Sequence, residues 1–327
     1  MYGTHSVQRS MSARDGRSAN PLPSVLARAV RLALPFALLA TIALAQPPAP
    51  PSASQPTESA APSPQPELFA PGVVSLPDRY EFGITITADE SEIFFGIDFG
   101  QKYEIWRVAR TDDGWGEPGP LLKHETYDFN DPMLDPSEQR LYFISTEPRP
   151  GASDDAEADP DIWYIERQDD GWSKPIHAGA TINSADSDYY SSFTDDGDLY
   201  FASNRGAERD GNYDLYVARS ALTEPKAPVR LGSGVNTGAY EADPFVAPDG
   251  SYIVFAAGRR GNIGRGDLFI AFRGDDGTFE EAKRLGPPIN TEGHELCPFV
   301  SRDGRTFYYT SREDIYRIDA AALWADR

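Results

Sequence analysis

Four carboxylates stand at one recurring place in this 327-residue chain. Glu81, Asp188, Glu241 and Glu295, within RYEF, SDYY, YEAD and HELC, each lie eight residues before a turn acid: Asp89, Asp196, Asp249 or Asp303. A fifth copy departs, with Phe129 at that position and Asp128 beside it. Carboxylates gathered from several copies around one opening would hold a cation or polar ligand, or supply the paired acid and base of a glycosidase. The competing role is a cap, in which each acid accepts backbone amides of its own loop. Repetition predicts that role equally, whereas catalytic acids need distinct environments.

Other chemical motifs stop short. His124-Glu125 and His294-Glu295 begin like the zinc signature HExxH, but Asp128 and Pro298 occupy the place of its second histidine. Asp210, Asn212 and Asp214 open like a calcium loop. Leu215 and Ala221 then stand where the glycine and the last glutamate of an EF-hand belong, so the choice there lies between another kind of calcium site and a solvated turn. There is no G-x-S-x-G elbow. No cofactor is expected, with calcium the one left open.

The elements that would position these groups come from a repeat. Phe95, Phe143, Phe201, Phe255 and Tyr309 end equivalent apolar runs, spaced 48, 58, 54 and 54 residues apart, which is the period of a propeller blade. Before each lies a turn, Asp-Gly in three copies (Asp196-Gly197, Asp249-Gly250, Asp303-Gly304), which joins two antiparallel strands. A third strand follows, marked by an acid before an aliphatic-aromatic pair: Glu104-Ile105-Trp106, Asp161-Ile162-Trp163, Asp214-Leu215-Tyr216, Asp267-Leu268-Phe269 and Asp314-Ile315-Tyr316. These acids are expected to accept amides from the preceding loop, and the aromatics to pack between blades. A fourth strand is suggested in every copy but the last, for which Leu68 to Ser75 is expected to supply it and close the ring.

Copies of the form PDGxxxxF, a polar Gly-rich loop, then Asp, an aliphatic and an aromatic resemble the WD40-like, TolB-type β-propeller repeat over residues 68–327. The resemblance implies an all-β fold, a propeller of five four-stranded blades, with a six-bladed TolB-like ring as the alternative. Its functions range from periplasmic interaction modules to propellers attached to peptidases. In such a ring the first strand of each blade lines the central channel, which would bring the four carboxylates to one channel mouth.

Residues 1–45 carry five arginines, then the apolar run Leu32 to Ala45 and the small-x-small triplet Ala43-Leu44-Ala45, a secretory signal. No cysteine follows to carry a lipid and no Arg-Arg pair marks a twin-arginine route. The run is too short to span a bilayer unless the signal stays uncleaved as an anchor, and no stable membrane insertion is expected after cleavage. Residues 46–67, rich in Pro, Ala and Ser, form a disordered spacer. Removing the five arginines and one aspartate of residues 1–45 from the chain's 30 basic and 51 acidic residues leaves 25 against 50, which excludes nucleic acid held by phosphate contacts. Cys297 is the sole cysteine, so no intrachain disulfide forms. The sequence therefore describes a periplasmic or secreted monomer, a non-enzymatic scaffold engaging a protein or an envelope saccharide, with a five-bladed glycoside hydrolase as the alternative.

Overall fold

The computed structural model describes residues 64–324, apart from 101, 154–158 and 207–211. The signal at 1–45, the spacer up to residue 63 and the calcium-loop aspartate Asp210 lie outside the described residues.

Five antiparallel sheets form, one per copy of the repeat. Blade 1 runs from the inner strand Tyr80–Ile86 through Glu92–Asp98 and Tyr103–Thr111 to the outer Gly119–Leu122. Blade 2 is Phe129–Leu134, Arg140–Ser145, Asp161–Gln168 and Ile176–His177. Blade 3 is Asp188–Phe193, Leu199–Ser203, Asp214–Ala218 and Val229–Arg230. Blade 4 is Glu241–Val246, Tyr252–Ala257, Asp267–Phe272 and Lys283–Arg284. Blade 5 has three strands of its own, Leu296–Val300, Thr306–Ser311 and Asp314–Asp319.

The hairpin turns work as their residue types demand. Asp249 and Asp303 accept the N–H two residues on, of Ser251 and Arg305, while Gly250 (φ 72°) and Gly304 (φ 73°) take the left-handed conformation. Blades 1 and 2 lack the glycine and place Glu90 and Glu138 there at φ 55° and 58°.

The missing strand of blade 5 comes from the other end of the chain. Glu67–Leu68 pairs antiparallel with Asp314–Asp319, setting Glu67 opposite Arg317 and Leu68 opposite Tyr316. The strand thus starts one residue earlier than expected and is only two residues long. The rest of the segment acts by packing: Phe69 meets Tyr308 edge-on at 5.0 Å between centroids, and Val74 is fully buried. Each inner strand packs on that of the next blade, and the fifth on the first, so the ring has five members.

Phe201, Phe255 and Tyr309 stack on the third-strand aromatics Tyr216, Phe269 and Tyr316 at 6.0 to 6.2 Å. Arg205 and Arg259 lie over the first two of these pairs.

Candidate functional site

The junction carboxylates sit at the start of the inner strands, all with zero solvent exposure. Three share one local device. Asp188, Glu241 and Glu295 each accept the backbone N–H of the residue four before it (Ser184, Thr237, Thr291) and the hydroxyl of that same residue. Their remaining capacity goes to Arg205, to Arg259 and to the Ser311 hydroxyl, respectively. Glu81 pairs with Arg79, yet burial holds its carboxyl up to about 7. Asp188, Glu241 and Glu295 therefore tie down their own junctions, whereas the buried Oε2 of Glu81 has no hydrogen-bond partner.

An adjacent signal in the sequence completes this device. The junctions read Ile182-Asn183-Ser184, Val235-Asn236-Thr237 and Ile289-Asn290-Thr291. Each Asn both accepts from and donates to the backbone of one third-strand residue, Ile162, Leu215 or Leu268, at 2.7 to 2.9 Å. The motif Asn-[Ser/Thr] followed by an acid four residues on was thus legible, and marks where one blade is clamped to the next.

What faces the axis lies two residues further along each inner strand. Gly83, Asp131, Tyr190, Asp243 and Cys297 occupy equivalent bulges and share one left-handed conformation, φ 50° to 55°. Contacts between separate blades show that they converge. The Cys297 thiol lies 3.7 Å from Asp131 Oδ1 and 3.9 Å from Asp243 Oδ2, and the Cys297 N–H donates to Asp243 at 3.3 Å. The Tyr190 hydroxyl crosses from blade 3 to donate to the Pro298 carbonyl of blade 5 at 3.2 Å. A Cβ on Gly83 would come within 3.3 Å of Asp131 Oδ1.

Burial sets the protonation of this ring. It raises both carboxyls, Asp131 further through its repulsion with Asp243, whose own pKa rises to about 6. It also lifts the Cys297 thiol well above the usual range, with the two aspartates adding to the effect, so the sulfur keeps its proton. No Lys or Arg forms an ion pair with either aspartate among the described residues. By contrast, the fully buried Glu81, Asp161, Asp188, Glu241 and Asp267 each have an arginine, while Glu295 is held by Thr291 and Ser311.

Above the ring stands a wall of tyrosines. Tyr189 meets Tyr213 at 5.3 Å and Tyr213 meets Tyr240 at 5.7 Å, both edge-on; Phe82, 5.8 Å from Tyr80 and 5.7 Å from Tyr103, continues the wall into blade 1. Tyr80, Tyr103, Tyr189 and Tyr240 are half-buried, and Tyr213 is buried. Burial raises the Tyr80, Tyr189 and Tyr240 hydroxyls strongly. Tyr80 lies near Cys297, Tyr189 near Asp131 and Tyr240 near Asp243. Asp98, raised by burial and by Asp128 and Glu313, adds an acidic rim.

The other expected sites resolve differently. Among the described residues Asp267 accepts amides of its preceding loop, those of Ile263 and Gly264; Asp161 binds Arg149 and His177, Asp214 binds Arg230, and Glu104 accepts the indole N–H of Trp106. Asn212 donates to the Ala239 carbonyl and Asp214 takes both nitrogens of Arg230, so these two spend their groups within the fold. No cluster of three His, Cys, Asp or Glu side chains with metal-binding geometry occurs among the described residues.

No protein-family model matches the chain, and no curated protein sequence matches it. Among solved structures, the endo-arabinase of Bacteroides thetaiotaomicron VPI-5482 is similar over 80% of this chain and 97% of its own, with 16% identity and a TM-score of 0.51. TolB from Acinetobacter baumannii is similar over 74% of this chain at 14% identity and a TM-score of 0.47; the match covers 54% of that protein, about half its length. A gluconolactonase from Xanthomonas campestris is similar over 81% of this chain at 12% identity and a TM-score of 0.47. The likeness is one of propeller fold.

Proposed function

We propose that this chain is an exported, non-enzymatic binding scaffold of the WD40-like repeat type, which takes a small polar group of a protein or envelope saccharide into the axial well. The observation that carries this reading is the wall of largely half-buried tyrosines beside the floor made by buried Asp131 and Cys297 and half-buried Asp243. Aromatic faces and hydroxyls contributed by separate blades give a rigid, preorganised lining, and a few polar groups at its base orient the guest. Export rests on the signal-like segment at 1–45.

A glycosidase would use two carboxyl groups flanking open space for the glycosidic oxygen and a water. Here a protonated thiol stands between the two axial aspartates, within 4 Å of each, and the junction acids are engaged by amides, hydroxyls and arginines. The geometry therefore favours holding a ligand over cleaving one. The test is in-situ crosslinking and capture from the native compartment with wild type and a Tyr189→Ala/Tyr240→Ala variant. A partner captured by wild type and lost by the folded variant is the expected result. Equal capture by both refutes the axial site, and turnover of arabinan or another glycan by wild type refutes the non-enzymatic reading.

A further inference from the structure

We infer that the guest of the axial well is an organic ammonium group, an inference that rests on the binding reading above and names its ligand chemistry. Three features converge on a cation. The wall is tyrosine, whose ring faces carry negative potential and attract an ammonium within about 6 Å. The floor holds two carboxyl groups without an arginine or lysine partner, whereas of the six other acids with zero exposure five have an arginine and Glu295 is held by Thr291 and Ser311. Asp243 also keeps partial exposure, so its carboxylate is reachable from the well.

The charged groups nearby preserve this sign. Asp98 lies near Asp128 and Glu313, and Lys102 approaches Asp128 at 3.9 Å. His294 occupies in blade 5 the position that Tyr80 and Tyr240 occupy in blades 1 and 4. It is pushed down to about 4 by burial and then by Arg265, so its ring is neutral at physiological pH. An entering ammonium exchanges its water for ring faces and carboxylate oxygens, and supplies a counter-charge to Asp243. A bare metal ion would need ligands on several sides, and among the described residues no group of three His, Cys, Asp or Glu side chains could hold one. Tyrosine faces suit the diffuse charge of an organic cation better.

The test titrates the whole chain calorimetrically with choline, n-butylammonium and glucosamine, against the neutral tert-butyl analogue of choline and N-acetylglucosamine. Asp243→Asn and Tyr240→Ala variants run alongside, with melting curves to confirm folding. Expected is saturable binding of the ammonium probes, at least about tenfold tighter than their neutral counterparts and weakened about tenfold by either substitution. Choline or n-butylammonium binding alone assigns the group to an aliphatic carrier and glucosamine binding to a sugar; both results support the inference. Neutral analogues binding as well as the cations, ammonium binding indifferent to both substitutions, or a response to calcium chloride alone would each overturn it. If only neutral probes bind, and Tyr240→Ala abolishes that binding, the ammonium assignment fails while the binding reading stands; if no probe binds and the captured partner is indifferent to the tyrosines, both fail.

Discussion

Asp243→Asn should stabilise the propeller at neutral pH, although it removes a buried polar charge from the centre of the molecule. Burial raises the Asp243 carboxyl from an ordinary 3.8 to about 6, and no cation offsets it. Because the folded pKa lies above the unfolded one, the group's contribution favours the folded state fully below about pH 4. That contribution is lost as pH rises through about 6, where the folded protein must hold the charge against desolvation. Roughly two pKa units at 1.36 kcal/mol each set the penalty at neutral pH on the order of 3 kcal/mol. Asparagine removes the charge and keeps an oxygen to accept the Cys297 N–H. It also tolerates the left-handed backbone at this position, φ 50°. For a domain of this size the gain corresponds to a melting temperature raised by roughly 5 to 10 °C. Urea unfolding at pH 7.5 and pH 4 measures it: the gain should be present at the first and absent at the second. A variant less stable than wild type at pH 7.5, or a gain of equal size at both pH values, would refute the reasoning. Adding Asp131→Asn should yield less than the sum of the two single gains, since the first substitution already removes their mutual repulsion.

Glu241→Gln should do the opposite, costing about 1 to 3 kcal/mol in urea unfolding without altering ligand response, because the acid holds the Thr237 amide, the Thr237 hydroxyl and Arg259. A truncation that removes residues up to 75 should melt well below one that removes residues up to 63, since it deletes the closing strand and the buried Phe69 and Val74, each worth about 1.5 to 3 kcal/mol; equal melting curves would show that the ring does not depend on this segment. Gly234→Ala should disrupt the start of the third junction, because its Cβ would lie 2.2 Å from the Phe279 carbonyl oxygen and 2.5 Å from that of Glu280; a loss of at least about 1 to 3 kcal/mol is expected by thermal unfolding. Ammonium binding, read by calorimetry from pH 7.5 to pH 5, should weaken as Asp243 takes up its proton near 6.

The sequence alone determined the blades, because their signals are local and repeated. Asp-Gly turns, β-rich runs and the acid-aliphatic-aromatic third strand recur at nearly constant spacing, and each reports on backbone within a few residues of itself. The lack of a fourth strand after Asp314–Asp319 also implied that the beginning of the chain must close the ring, which Glu67–Leu68 does. The pattern located the junction carboxylates too, but not what they face, and the role of the Asn-[Ser/Thr] pair beside three of them emerged only from the hydrogen bonds of the folded chain. That was decided by a bulge in every inner strand, which inserts a residue, shifts the alternation and turns the position two residues on toward the axis. The five axial residues share a backbone conformation and not a side-chain type, so glycine, aspartate, tyrosine and cysteine leave no repeat for the eye to follow. Their chemistry exists only because ring closure brings Asp131, Asp243 and Cys297, from positions up to 166 residues apart, within 4 Å of one sulfur, where burial sets their charge.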